Sequence, residues 1–111
     1  MQYRKHVSEP WFSLIAAGRK TCEGRLWKGE CRTMGVGDVL VFYHGDQECR
    51  ARIVGISVYD SFETYLVGEG LERCLPGVGT VEEGVAVYHQ YYSEKEEFLY
   101  GVVGIRIEVG T

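Results

Sequence analysis

The sequence lacks the features that mark several large classes of protein. It contains no apolar run near the ~20 residues that a membrane-spanning helix needs, and its N-terminal segment lacks a signal peptide's apolar core. Its four cysteines form neither a CxxC pair nor a spacing typical of zinc sites, so we expect reduced thiols, no metal and no cofactor. A glycine-rich phosphate loop and a nucleophile elbow are also missing from the sequence. These absences favour a cytoplasmic (intracellular) protein without membrane association.

Positive charge is scarce except near the N-terminus. The net charge of −4 argues against a general nucleic-acid coat protein. Residues 1–32 nevertheless hold seven Lys or Arg against three Asp or Glu, whereas residues 33–111 hold five against 13. A local basic patch of this kind steers an anion to one site while the acidic remainder repels bulk polyanion. The alternative is that these are ordinary solvated charges.

The chain is long enough for one domain with a single modest core, since it has 111 residues of which 45% are hydrophobic. Alternating and β-branched segments predict strands at residues 2–7, 21–26, 38–43, 48–58 and 98–109, with a bulge at Gly55. Helical spacing and the capping residues Ser8, Ser61 and Thr80 predict helices at residues 9–17, 62–67 and 81–91. Residues 71–75 are expected to form a turn, and residues 93–97 to be partly helical. Many strands with few helices indicate an α+β fold, in which barrel and sandwich both stay open.

The most informative segment runs from Gly18 to Arg25. Gly18 is suited to ending a helix, because glycine readily adopts the left-handed conformation. Alternate side chains of the following strand share one face, so Glu23 and Arg25 should point the same way, with Lys20 at the turn before them. An acid between two bases at a rigid junction is suited to recognising a polar or anionic ligand.

This Gly18-x-Lys20-x-x-Glu23-x-Arg25 pattern resembles the GxKxxExR signature of ASCH domains, small modules related to the PUA-like RNA-binding folds. Three other segments are also similar to that family: residues 10–15 to its first helix, residues 37–42 to its core strand and residues 100–107 to its closing strand. The resemblance implies that residues 1–111 form a single ASCH domain. It also implies an α+β fold built on a small PUA-like β-barrel of about five to six strands with two to three flanking helices.

The signature residues have plausible chemical roles in binding. Lys20 offers a compact charge for a phosphate or carbonyl oxygen, and Arg25 offers a planar fork. Glu23 either orients these bases or accepts hydrogen bonds from a ligand's amino group. Trp11 and Tyr43 are the aromatic side chains expected to stack on a base, with three others considered, namely Trp27, Tyr91 and Tyr92. The alternative is a surface salt-bridge trio contributing under ~1 kcal/mol per pair.

Three functions stay open on this basis. The resemblance implies a module that binds RNA or a modified nucleotide or nucleoside. It also allows a small hydrolase with Lys20 and Glu23 as catalytic residues, similar to an acetylcytidine amidohydrolase or a ribonuclease. The amidohydrolase relative has a threonine nucleophile where this chain has Glu23, and Thr21 does not match that motif position. The third function is a protein-interaction domain using the acidic region. We expect a monomer or weak dimer.

Overall fold

A single five-stranded sheet organises the chain in a computed structural model that describes residues 1–110. The sheet curls into a half-barrel, in the order β1-β3-β4-β5-β2, so β1 and β2 form its two edges. Its strands are β1 Gln2–His6, β2 Cys22–Leu26, β3 Val39–His44, β4 Gln47–Tyr59 and β5 Val102–Val109. The helices are α1 Trp11–Ala16, α2 Phe62–Glu69, α3 Leu71–Cys74, α4 Val81–Tyr88 and α5 Glu94–Tyr100, with a 3₁₀ turn at Gly29–Thr33.

The pairing of the strands determines where the two edges lie. β1 runs parallel to β3, whereas β3–β4, β4–β5 and β5–β2 are antiparallel. The register of β4 against β5 shifts between Ile53 and Gly55, which confirms the predicted bulge. A side chain at position 55 would collide with the guanidinium of Arg106, because a Cβ atom there would lie 2.5 Å from its Nε. The bulge sharpens the bend of the long strand and helps to curl the sheet.

Two apolar clusters pack on the two faces of the sheet. Strand β5 contributes Val103, Ile105 and Ile107 to one cluster and Val102 to the other, as the alternation of a strand requires. Helix α1 packs in the first cluster, and helices α2, α3 and α4 pack in the second. Trp11 contacts both clusters and therefore lies at their boundary.

The α+β class and the barrel-type sheet predicted from the sequence are confirmed. The helices number five within residues 1–110, because residues 71–74 and 94–100 form complete short helices. The predicted start of the last strand was wrong: residues 98–100 end α5, and Gly101 turns the chain at φ 74° before β5 begins. Along the part of the chain that the structure describes, no helix has the length and apolarity to span a membrane.

The predicted helix caps hold at two of three positions. Ser61 and Thr80 each accept a hydrogen bond from the backbone N–H three residues later. Ser8 does not cap α1, so that prediction was wrong. The carboxylate of Glu9 instead accepts hydrogen bonds from the backbone and hydroxyl of Ser13, and these bonds lower the pKa of Glu9.

Candidate functional site

A pocket of about 170 Å³ opens beside β2, close to the end of β1. Three residues form its charged part, namely Lys20 in the turn before β2 and Glu23 and Arg25 on β2. Aromatic side chains form much of its wall, namely Trp11, Tyr88, Tyr91 and Tyr92. We call this space the aromatic pocket. Its combination of apolar walls with a few convergent polar groups is typical of small-ligand sites.

The turn after α1 brings the signature residues to this pocket. Gly18 adopts φ 77°, and the backbone N–H groups of Arg19 and Lys20 then both donate to the carbonyl of Leu14. The chain next enters β2, where the carboxylate of Glu23 and the guanidinium of Arg25 meet on one face. Both the turn at Gly18 and the shared face were predicted from the sequence and are confirmed.

Lys20 is buried, with only 2% of its side chain exposed. Its ammonium donates to the carbonyl oxygens of Cys22, at 2.8 Å, and of Cys74. An ammonium has three N–H donors, and Glu23 Oε1 lies 3.5 Å from this ammonium. Lys20 thus connects α3 to β2 and places a positive charge under Glu23. The sequence identified the residue but not this arrangement, in which two of its donors are already used.

Glu23 and Arg25 form a tighter pair. Arg25 Nε donates to Glu23 Oε2 at 3.1 Å, and another guanidinium nitrogen of Arg25 donates to the carbonyl of His6 at 2.9 Å. Burial works to lower the pKa of Arg25, but the surrounding groups, chief among them the Glu23 carboxylate, together raise it above its usual value. Because His6 ends β1, Arg25 connects the two edges of the half-barrel at the pocket.

The aromatic wall is held by contacts in the second apolar cluster. Phe62 is stacked with Tyr88, with ring centroids 4.5 Å apart, and with Tyr92 at 5.6 Å. The hydroxyl of Tyr88 lies 2.9 Å from that of the buried Tyr65, and burial raises the pKa of Tyr88 well above its usual value. Tyr91 differs, since it is exposed and its hydroxyl lies 2.9 Å from the Ser8 hydroxyl. Tyr91 therefore joins the two sides of the pocket rim.

Of the residues predicted for the site, Lys20, Glu23, Arg25 and Trp11 line the aromatic pocket, and Tyr43 does not. The Tyr43 ring instead packs against the pocket residue His6 at 5.4 Å and under the Arg4 guanidinium at 4.8 Å. Trp27 also lies outside the pocket, beneath Arg32.

Seven pocket residues were not anticipated as site residues, namely His6, Val7, Ser8, Gly24, Leu75, Val87 and Tyr88. The spacing of Tyr88, the last residue of α4, to Tyr91 and Tyr92 just after it was the available signal, because residues three and four apart share a face in helical geometry. Tyr88 was assigned only to a buried stripe, and it is indeed buried, although its edge reaches the pocket.

Comparison with known proteins identifies the family. A sequence model of the ASCH domain matches residues 6–110. The chain belongs to the ASCH domain family. None of the curated proteins matches it.

Three solved structures are similar to this ASCH domain. The crystal structure of the hypothetical protein PH0355 has 43% identity and a TM-score of 0.93, covering 99% of this chain and 100% of that one. The solution NMR structure of protein PF0455 from Pyrococcus furiosus has 41% identity and a TM-score of 0.81, covering 98% and 97%. An ASCH domain from Lactobacillus crispatus JV V101 has 15% identity and a TM-score of 0.64, covering 97% and 79%. The last likeness concerns the fold alone.

In this ASCH domain the GxKxxExR segment therefore forms the charged part of a pocket with aromatic walls. Among residues 1–110, no group of three or more His, Cys, Asp or Glu side chains is placed to hold a metal ion. The chemistry available at the pocket is hydrogen bonding, charge and aromatic contact.

Proposed function

We propose that this ASCH domain binds one nucleobase in the aromatic pocket, as part of a nucleoside, a nucleotide or a single-stranded RNA. The observation that carries this proposal is the buried carboxylate of Glu23 among the aromatic side chains of the wall. The pocket volume of about 170 Å³ is below the ~300–1,000 Å³ common for drug-sized ligands, which suits one planar ring system.

Glu23 supplies the proposed selectivity. Its Oε2 atom is engaged by Arg25, whereas within residues 1–110 the Oε1 atom has only the Lys20 ammonium, at 3.5 Å. A carboxylate is acceptor-only and has about four lone-pair sites, so Oε1 retains capacity for a ligand donor. Glutamate accepts hydrogen bonds from the exocyclic amino group of cytosine, and uracil presents an oxygen at the same position. We therefore expect a preference for bases with an amino group.

Trp11 and Tyr91 supply the proposed stacking surface. Trp11 is partly buried and Tyr91 is exposed, so both retain ring area that a ligand can cover. Aromatic stacking is worth about 1–3 kcal/mol per base in single-stranded nucleic-acid recognition. Tyr88 and Tyr92 are already stacked with Phe62, so they serve as a fixed wall.

Calorimetric titration of cytidine and uridine tests the proposal. We expect cytidine to bind about 5–150-fold more tightly, since a good side-chain contact to a base edge discriminates by about 1–3 kcal/mol. Glu23→Gln should remove most of this preference, and Trp11→Ala should weaken both ligands. Glu48→Gln is the matched control, because Glu48 pairs with Arg4 away from the pocket. Equal affinities for cytidine and uridine, or an unchanged preference in Glu23→Gln, would contradict the proposed contact.

Hydrolysis is the less favoured alternative on two observations. Thr21, the hydroxyl residue nearest the signature carboxylate in sequence, does not line the aromatic pocket. Lys20 uses two of its three donors on backbone carbonyls and faces Glu23 with the third, which leaves it poorly placed to act as a base. Release of acetate from acetylated cytidine, followed by mass spectrometry, tests this alternative; sustained turnover would favour the hydrolase.

A further inference from the structure

A second hollow adjoins the aromatic pocket. It measures about 310 Å³ and lies where the end of β2 meets the 3₁₀ turn. Arg25 and Tyr92 line both spaces, so the two hollows meet at these side chains. We call the second space the basic hollow, because three cationic side chains line it, namely Lys5, Arg25 and Lys28.

The positive charge of the basic hollow is only partly compensated by its own lining. Glu30 is the single acidic residue among the residues that line it. Lys5 Nζ lies 2.6 Å from Glu30 Oε1, and the Glu30 side chain is 49% exposed. Lys28 reaches only 3.7 Å from Glu96, and 48% of its side chain is exposed. The Lys5 side chain is only 18% exposed, so its pair with Glu30 is not a typical surface pair, whereas the Lys28–Glu96 pair is one and contributes about 0–1 kcal/mol. Both carboxylates face solvent, so an incoming anion can compete with them.

We propose that the basic hollow is a phosphate subsite, so that the ligand of this ASCH domain is a nucleoside phosphate. This inference rests on the proposed nucleobase site, because the base must occupy the aromatic pocket for its phosphate to reach the neighbouring hollow. Lys5 and Lys28 act as point charges on the phosphate, and Arg25 stands at the junction beside the sugar. The phosphate belongs either to a free mononucleotide or to the backbone of an RNA strand.

The competing carboxylate makes the subsite testable. Glu30 holds Lys5 in the free protein and must release it when a phosphate enters. Removing the charge of Glu30 should therefore improve phosphate binding, and removing the charge of Lys5 should weaken it. Neither residue lines the aromatic pocket, so both changes should leave nucleoside affinity unaltered.

The experiment compares cytidine, cytidine 5′-monophosphate and a short oligocytidine RNA by calorimetry at two salt concentrations. We expect the monophosphate to bind at least about 10-fold more tightly than cytidine at low salt, with the gain shrinking as salt screens the contact. Lys5→Gln should abolish this gain and Glu30→Gln should enlarge it. Lys95→Gln is the control, because Lys95 is exposed and lines neither hollow.

The outcomes separate this inference from the proposed function. A monophosphate and an oligonucleotide that bind no better than cytidine would overturn the phosphate subsite and leave the nucleobase site standing. Equal losses of cytidine and monophosphate affinity in Lys5→Gln would overturn it as well. An absence of binding by all three ligands would overturn both proposals. If the monophosphate binds more tightly than cytidine and the oligonucleotide binds equally well, the natural ligand is a free nucleotide. If the oligonucleotide binds more tightly still, and Lys5→Gln reduces that additional affinity, the natural ligand is an RNA strand.

Discussion

Replacing Lys20 with methionine should destabilise the protein far more than replacing an ordinary surface lysine. Methionine fills similar space but removes the donors to the carbonyls of Cys22 and Cys74, both in buried residues. A buried acceptor left without a donor costs about 1–3 kcal/mol, and breaking a buried ion pair costs about 3–5 kcal/mol. Because Glu23 keeps its contact with Arg25, we expect the free energy of unfolding to fall by about 3 kcal/mol, the lower end of the range for a broken buried ion pair.

Urea denaturation followed by tryptophan fluorescence measures this loss. With a slope of about 1–3 kcal/mol per molar urea, the unfolding midpoint of Lys20→Met should fall by about 1–3 M. Lys28→Met is the matched control, because Lys28 is half exposed and its ion pair with Glu96 is 3.7 Å long. This substitution should lower the free energy of unfolding by only about 0–1 kcal/mol. Equal losses in the two variants would refute the structural role of Lys20.

Two further predictions concern packing and ionisation. Gly24→Ala should lower the free energy of unfolding by about 1–3 kcal/mol in the same assay, because its Cβ atom would lie 2.6 Å from the ring of Tyr65. Gly35→Ala is the control: its Cβ atom would lie 3.8 Å from the nearest atom, so it should lower the free energy of unfolding by less than about 1 kcal/mol. Equal costs would contradict this packing. Burial and the hydrogen bond to Glu69 raise the pKa of Tyr59 to about 12, so its contribution to stability is complete below its usual value of 10.0 and is lost as the pH rises towards 12. Urea denaturation at several pH values tests this: between pH 10 and about 12 the free energy of unfolding should fall less in Tyr59→Phe than in the parent protein. An equal fall in both proteins would contradict the raised pKa of Tyr59.

The features predicted correctly from the sequence depend on local geometry. The turn at Gly18 follows from the conformational freedom of glycine, and the pairing of Glu23 with Arg25 follows from the two-residue period of a strand. The Ser61 cap likewise follows from neighbouring residues, and each of these three features involves atoms only a few residues apart along the chain. The Gly55 bulge was indicated locally by a break in the alternation of the strand, although the register shift itself is made against the distant strand β5.

The features that the sequence did not predict depend on distant segments. The burial of Lys20 requires the carbonyl of Cys74, 54 positions along the chain, and no local pattern relates these residues. Tyr43 was assigned to the site for its residue type, but its ring packs against His6 and under Arg4 and does not line the pocket. The apolar run at residues 98–100 resembled the start of a strand, although Phe98 is exposed and the helix continues to Gly101.

The most direct test of the proposed site is an NMR titration of the ¹⁵N-labelled protein with cytidine 5′-monophosphate. The largest shift changes should fall on the backbone amides of residues 23–25, 87–88 and 91–92 and on the indole of Trp11, which line the aromatic pocket. Glu23→Gln should reduce these changes at equal ligand concentration. Shift changes confined to another surface, such as the exposed residues of β4, or changes that Glu23→Gln leaves intact, would contradict recognition of a nucleobase by this carboxylate.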